Sequence, residues 1–183
     1  MTNATISTAP DLTDSNASGD QPLVSQTRIE IFTDGSCIRN PGHGGYGIVI
    51  LRKDGDGSAT KRREHSDYDL NTTNIRMEMT AACVALESLG RVTREPITVF
   101  CDAQLVPNTM NRDLAKWRER GWKKSDGKEP ANRDLWERLE RAAEGRNVTW
   151  RWVRGHNGSE HNERADRLAY AAALKAEKIV MGR

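Results

Sequence analysis

Three strand-like segments precede the first helical segment of this chain, and this order constrains the fold more than any other feature of the sequence. The segments at 28–34 and 44–52 are apolar and β-branched, whereas the third, at 60–68, is polar. The DGDG sequence between the second and third is typical of a hairpin. These patterns predict an antiparallel meander with the third strand at its edge. Asp34 and Gly35 directly follow the first apolar run and predict a turn there.

The pattern then changes to alternating helices and strands. A helix is predicted to start at Asn74 as N-cap and to end at Gly90. Further helices are predicted at 103–111, 132–145 and 162–178, the last with Asn162 as N-cap, and strands at 96–102 and 147–153. Pro107 interrupts the second helix or lies in its first turn. A meander followed by alternating elements predicts an α/β fold in which helices pack on a mixed sheet.

The first 26 residues differ in composition from the rest, since they are rich in Ser, Thr, Asn and Asp and contain no Lys or Arg. Such a segment cannot bury a core, so we expect a disordered acidic tail at 1–26, one domain at 27–178 and a short C-terminal tail at 179–183. The chain lacks a secretory signal pattern and an apolar run that spans a bilayer, which predicts no membrane association. The remainder is basic, which favours a polyanionic partner.

The three cysteines, Cys37, Cys83 and Cys101, show no C-x-x-C spacing. Their odd number and their apolar or small neighbours argue against a disulfide framework or a zinc ribbon. The pattern favours reduced thiols and therefore a cytoplasmic protein.

Four acidic residues lie where the predicted elements meet. Asp34 and Asp102 end strands, while Glu78 shares the apolar stripe of the first helix. Asp166 lies one turn inside the last helix. Each residue has a structural explanation of its own: a turn for Asp34, a pairing with Arg76 for Glu78, and favoured helix-start positions for the other two.

The joint pattern favours a functional explanation. Strand ends that lie side by side bring their side chains within several ångströms of one another. Four converging carboxylates with no Lys nearby in the sequence would repel one another unless hard divalent cations were bound, and Mg²⁺ prefers such oxygen ligands. The sequence therefore predicts a divalent metal site.

Four sequence blocks resemble, in order, the motifs of ribonuclease H type 1, the bacterial ribonuclease HI family. They are IFTDGSCIRNPGHGGYG, TTNIRMEMTAACVAL, CDAQLV and VRGHNGSEHNERADRLA, and the resemblance runs from about Arg28 to Ala173. It implies a ribonuclease H-like fold, with a five-stranded mixed sheet flanked by helices. It also implies an endoribonuclease that hydrolyses the RNA strand of RNA–DNA hybrids by a two-metal-ion mechanism, giving 3′-hydroxyl and 5′-phosphate ends.

The resemblance assigns roles to individual residues. The metal-binding catalytic acids match Asp34, Glu78, Asp102 and Asp166. Two Mg²⁺ ions are the implied cofactor, with Mn²⁺ able to substitute, and Asp34 is the candidate bridging ligand. His156 matches a mobile histidine that assists proton transfer, in keeping with an imidazole that titrates near neutral pH.

The positions matched to substrate binding fall into three groups. Those along the minor groove of the hybrid are Cys37, Asn40, Asn74 and Gln104. Those at a phosphate of the DNA strand are Thr73 and Asn132. Those in a basic protrusion at 112–128, which grips backbone phosphates, are Trp117, Trp122, Lys123 and Lys124. The alternatives are ordinary helix caps for the Asn and Thr residues and a solvated amphipathic helix for the protrusion.

Four positions depart from the family pattern. One is Pro107, which interrupts the helix after Asp102 or lies in its first turn. Ile75 replaces a second Asn, Ala103 replaces a Ser, and Asp113 occupies a position that is often aromatic. An acid near DNA phosphates weakens binding, so we expect an active enzyme with weaker or altered affinity for the hybrid.

Two other functions stay open at this point. One is a non-catalytic module that binds hybrid or double-stranded RNA, although such a module need not keep four mutually repelling acids. The other is a nuclease or integrase-like enzyme that acts on DNA. Nothing in the sequence indicates an obligate dimer, so we expect a monomer.

Overall fold

The computed structural model describes residues 27–90, 93–155 and 158–182. The predicted tail at 1–26 lies outside these residues. The strands are β1 (Arg28–Ile38), β2 (Gly42–Lys53), β3 (Ala59–Thr72), β4 (Ile97–Cys101) and β5 (Val148–Trp152). The α-helices are α1 (Asn74–Glu87), α2 (Leu105–Asn108), α3 (Leu114–Glu119), α4 (Arg133–Ala143) and α5 (Glu160–Val180), with a π-helical turn at Thr109–Asp113 between α2 and α3.

The five strands form one mixed sheet in the order β3-β2-β1-β4-β5. Strand β2 pairs antiparallel with β1 and β3, whereas β4 pairs parallel with β1 and β5. The predicted meander, the polar edge strand and the α/β class are therefore confirmed. None of the helices in the described residues has the length and apolar character needed to cross a membrane.

The turn predicted at Asp34 and Gly35 is wrong. Strand β1 continues through both residues to Ile38, and Asp34 pairs with Gly47 of β2. The chain reverses only at 39–41. Gly35 is needed for a different reason: a Cβ there would lie 2.2 Å from the backbone nitrogen of Glu78, so the glycine lets α1 approach the strand.

Several helix ends differ from the predicted ones by a few residues. Thr73, not Asn74, caps α1, because its hydroxyl accepts a hydrogen bond from the Arg76 N–H at 3.3 Å. Helix α5 begins after Ser159, which leaves Asn162 buried inside the helix, and it continues to Val180. Pro107 lies in the first turn of α2, where proline is tolerated.

The helices cover both faces of the sheet. Helix α1 packs with α4 on one face, over a core that includes Ile31, Ile48 and Trp136. Helix α5 covers the other face, where Phe32 stacks on Phe100 at a centroid distance of 4.7 Å. The central strands are thus buried on both sides and hold their end residues in fixed positions.

Helix α5 approaches β2 unusually closely because glycine faces alanine there. A Cβ on Gly47 would lie 2.1 Å from the carbonyl oxygen of Ala165. Since Gly47 pairs with Asp34, this contact brings the start of α5, including Asp166, to the level of Asp34 in the sheet.

We expect Gly47→Ala to lower the free energy of unfolding by about 1–3 kcal/mol, because the new methyl group must displace helix backbone. Denaturant unfolding measures this change. The control is Ser66→Ala, at the exposed residue opposite Gly47 on β3. Unfolding free energies that are equal for the two variants would contradict the proposed contact.

Candidate active site

Strand register places two of the predicted acids side by side. Thr33 of β1 pairs with Cys101 of β4 in a parallel ladder, and the next residues are Asp34 and Asp102. Neighbouring strands lie about 4.8 Å apart, so both carboxylates start from the same edge of the sheet. The Asp34 carboxylate also accepts a hydrogen bond from the Gly35 N–H at 2.9 Å.

Glu78 reaches the same place from the first turns of α1. The helix lies against Gly35, and the Glu78 side chain is buried, with 5% of the residue exposed. One carboxylate oxygen from each of Asp34, Glu78 and Asp102 lies within 4.8 Å of the others. The structure therefore brings three of the four predicted acids together.

Asp166 lies at the margin of this cluster. It is not among the three acids whose oxygens lie within 4.8 Å of one another. Its charge and a hydrogen bond nevertheless both raise the pKa of Asp34. Asp166 is thus close enough to Asp34 to act electrostatically on it, as the Gly47–Ala165 contact requires.

Burial and mutual repulsion disfavour ionisation in the cluster. The pKa of Asp34 rises from 3.8 to about 8, chiefly because the group is buried and then because of the charges on Asp102 and Asp166. The pKa of Glu78 rises well above its ordinary value, first through burial and then through Asp34. Without a cation, burial and repulsion therefore favour the protonated form of Asp34 at neutral pH.

The cluster fits a divalent metal ion. The Oε2 atom of Glu78 is buried and has no hydrogen-bond partner in the described structure. The cation that could have paired with Glu78, Arg76, binds Asp134 instead, with Nη2 2.7 Å from Oδ2. A hard divalent cation would satisfy this oxygen and offset the repulsion among the acids.

His156 lies outside the described residues, so its predicted role stays a prediction. The residue before it, Gly155, is described and lies against Asp102. A Cβ on Gly155 would be 3.0 Å from Oδ2 of that carboxylate. The β5–α5 loop therefore reaches the cluster at this point.

Three of the four residues predicted to line the minor groove are brought together by the structure. The Asn74 N–H donates to Oδ1 of Asn40 at 3.1 Å, and the Cys37 thiol donates to the Thr72 carbonyl at 3.5 Å. Gln104 is exposed and follows Asp102 by two residues. Cys37, Asn40 and Asn74 are thus neighbours in space, although 37 and 74 are far apart in the sequence.

Arg76 joins the two residues predicted to bind a DNA phosphate. Its N–H donates to the Thr73 hydroxyl, and its Nη1 donates to Oδ1 of Asn132 at 3.2 Å. Asn132 has a left-handed backbone (φ 58°) and does not cap α4 with its side chain. Sequence analysis missed this role of Arg76, because the partner Asp134 is 58 residues away.

The predicted protrusion contains both packed and exposed side chains. Trp117 packs edge-on against the buried Trp136 at a centroid distance of 5.9 Å, and Arg133 lies 5.4 Å above the ring of Trp122. Lys123 is exposed, whereas Lys124 pairs with Asp126 at 3.4 Å. The two tryptophans therefore contribute to packing, whatever else they contact.

Comparison with known proteins connects this geometry to a family. The sequence model of the RNase H family matches residues 26–174. A protein of Vibrio parahaemolyticus named ribonuclease HI is 46% identical over 145 residues, which cover 79% of this chain and 89% of that protein. A ribonuclease H of Photorhabdus laumondii is 42% identical over 146 residues, 80% of this chain and 88% of the relative.

Solved structures give the same result. LC9-RNase H1, a type 1 RNase H with the type 2 active-site motif, matches with a TM-score of 0.73 and 31% identity over 82% of this chain and 74% of that one. LC11-RNase H1, solved in complex with an RNA/DNA hybrid, matches with a TM-score of 0.61 and 29% identity, covering 82% of this chain and 99% of the other.

The raised pKa of Asp34 predicts how the metal-free protein responds to pH. A group whose pKa is higher in the folded state stabilises that state fully only below its unfolded pKa, and this stability is lost as the pH rises through the folded pKa. With divalent ions chelated, we expect the melting temperature to fall between about pH 4 and pH 8. Asp34→Asn should then melt above the wild type at pH 8.

Thermal unfolding in chelator across this pH range measures the effect. The control is Glu144→Gln, the same carboxylate-to-amide change at an exposed residue that ends α4. If the melting temperatures of Asp34→Asn and of the control depend on pH in the same way, Asp34 is not the source of the destabilisation at high pH.

Proposed function

The chain belongs to the ribonuclease H family, and we propose that it hydrolyses the RNA strand of RNA–DNA hybrids at the cluster of Asp34, Glu78, Asp102 and Asp166. The observation that carries this proposal is the buried carboxylate cluster, in which one Glu78 oxygen has no partner among the described residues. The relative that was solved with an RNA/DNA hybrid supports the choice of substrate. The cleavage products would be 3′-hydroxyl and 5′-phosphate ends.

The four acids would hold two divalent ions, with Asp34 as the shared ligand. Mg²⁺ is the proposed ion, since it prefers hard oxygen ligands, and Mn²⁺ can substitute. Bound divalent ions stabilise the charge that develops on the attacking and leaving oxygens of a phosphodiester. His156 would move a proton on the side of the attacking water.

The neighbouring polar residues would select a hybrid over other duplexes. Cys37, Asn40, Asn74 and Gln104 offer short polar groups beside the acids, as readout of 2′-hydroxyls in a wide minor groove requires. Thr73 and Asn132, joined by Arg76, would hold a phosphate of the DNA strand.

The protrusion would add affinity that does not depend on sequence. Lys123 and Lys124 would contact backbone phosphates, and the half-buried rings of Trp117 and Trp122 would pack against the substrate where they are exposed. Asp113 would reduce this affinity through repulsion.

We also propose that the protein acts as a monomer in the cytoplasm. All four acids come from one chain, so the site needs no second copy to be complete. The three free cysteines, of which Cys83 and Cys101 are buried, suit a reducing compartment.

A cleavage assay on labelled RNA–DNA hybrid tests the proposal. We expect Mg²⁺-dependent cleavage by the wild type, and Asp34→Asn should lower the rate by about 10²-fold or more, because a metal ligand is lost. Hybrid binding should be retained, since Asp34 is not among the proposed substrate contacts. Glu144→Gln, as the matched carboxylate-to-amide control, should cleave at the wild-type rate.

Single-stranded RNA, double-stranded RNA and duplex DNA are the substrate controls. Preferred cleavage of duplex DNA would favour a DNA nuclease instead. Binding of hybrid without cleavage would favour a non-catalytic module.

A further inference from the structure

Trp152 has an unusual combination of exposure and bonding beside the carboxylate cluster. It is the last residue of β5, and 46% of its surface is exposed. Its indole N–H nevertheless donates to the backbone carbonyl oxygen of Asp102 at 2.9 Å. Burial alone therefore does not fix the position of the ring. The hydrogen bond also holds it, and the acceptor belongs to an acid of the cluster.

This hydrogen bond lies just beyond the end of the ladder between β4 and β5. The last backbone hydrogen bond between β4 and β5 runs from the Val153 N–H to the Cys101 carbonyl at 3.0 Å. Strand β4 ends at Cys101, and the chain bends away at Asp102. The Asp102 carbonyl thus lies beyond the paired part of β4, where it accepts the hydrogen bond from the indole of Trp152.

Asp102 lies outside the regular secondary structure that holds the other two acids of the cluster. Asp34 lies inside β1 and pairs with Gly47 of β2, and Glu78 lies inside α1. Asp102 lies in neither a strand nor a helix. Its side chain meets the Gly155 loop, but its main chain is held at the carbonyl by Trp152.

We propose that Trp152 is a positioning residue, whose indole N–H fixes the main chain of Asp102 and thereby the direction of its carboxylate toward Asp34 and Glu78. This inference rests on the proposed metal-dependent function of the cluster. Groups that orient metal ligands without touching the metal typically affect metal affinity or activity by 10–100-fold. Trp152 bonds to the backbone of Asp102. Removal of the indole N–H therefore changes the orientation of the Asp102 carboxylate, while all four acids remain in the protein.

The test compares the wild type with Trp152→Phe, which keeps an aromatic ring and removes the donor. Calorimetric titration with Mn²⁺ in the absence of substrate should show metal affinity about 10–100-fold weaker in the variant. The kcat on hybrid should fall by a similar factor at fixed metal concentration, with KM for hybrid unchanged. Ile179→Ala, which alters an equally exposed apolar residue near the end of α5, should change none of these values.

A second variant separates the N–H from the shape of the ring. Benzothienylalanine at position 152 keeps the bicyclic ring and replaces the N–H by sulfur, so it should weaken Mn²⁺ binding as Trp152→Phe does. Unchanged Mn²⁺ affinity in both variants would overturn the inference. So would a change in KM alone, which would mean that the exposed ring contacts the substrate. A wild type that binds Mn²⁺ but cleaves no hybrid would contradict the proposed function, while the Mn²⁺ titrations would still test Trp152.

Discussion

Repulsion among buried carboxylates must be overcome by the packing of the sheet and of the helices on both of its faces. Asp34 and Glu78 are almost fully buried, and Asp102 contributes an oxygen within 4.8 Å of theirs. Such an arrangement opposes folding when the groups are charged and no cation is present. The cluster forms because the packing of the strands and helices that carry the carboxylates holds each one in place. The unfavourable free energy of bringing these acids together is expected where a cation is to be bound.

Close backbone contacts between the helices and the sheet hold the carboxylates in place. Gly35 lets the start of α1 lie against β1, and Gly47 lets α5 lie against β2 at the level of Asp34. Side chains at either glycine would separate the helix from the sheet. The two helices therefore bring Glu78 and Asp166 from opposite faces to the point where the parallel β1–β4 ladder ends, beside Asp34 and Asp102.

Much of the fold could be predicted from the sequence, because the hydrophobic periodicity and the turn and capping residues indicate the same elements. The meander, the alternation that follows it and the mixed sheet were all indicated by local patterns. The turn at Asp34 and Gly35 was predicted wrongly. The preference of Asp-Gly for turns is local, whereas Gly35 is required by the close approach of Glu78 in α1, 43 residues later. The cap of α1 was misplaced by one residue, since both Thr73 and Asn74 are good capping residues.

The candidate site was predictable in its acids and less so in its supporting residues. Acids that directly follow apolar runs, and an acid on the apolar stripe of a helix, can be recognised in a single sequence. The bonds of Arg76 to Asp134 and of Trp152 to Asp102 join residues 58 and 50 positions apart, and nothing local indicates them. Such pairings depend on tertiary packing, which only the structure gives.

Proton release on metal binding shows directly whether buried, protonated carboxylates form the metal site. Because the pKa of Asp34 is raised to about 8 and that of Glu78 is also raised, a divalent ion that binds at pH 7 must displace protons from the cluster. Calorimetric titration with Mg²⁺ in buffers of different ionisation enthalpy measures the number released. We expect proton release at pH 7 that diminishes toward pH 9 and is smaller in Asp34→Asn. Metal binding with no proton release at pH 7, or with equal release in Asp34→Asn, would contradict it.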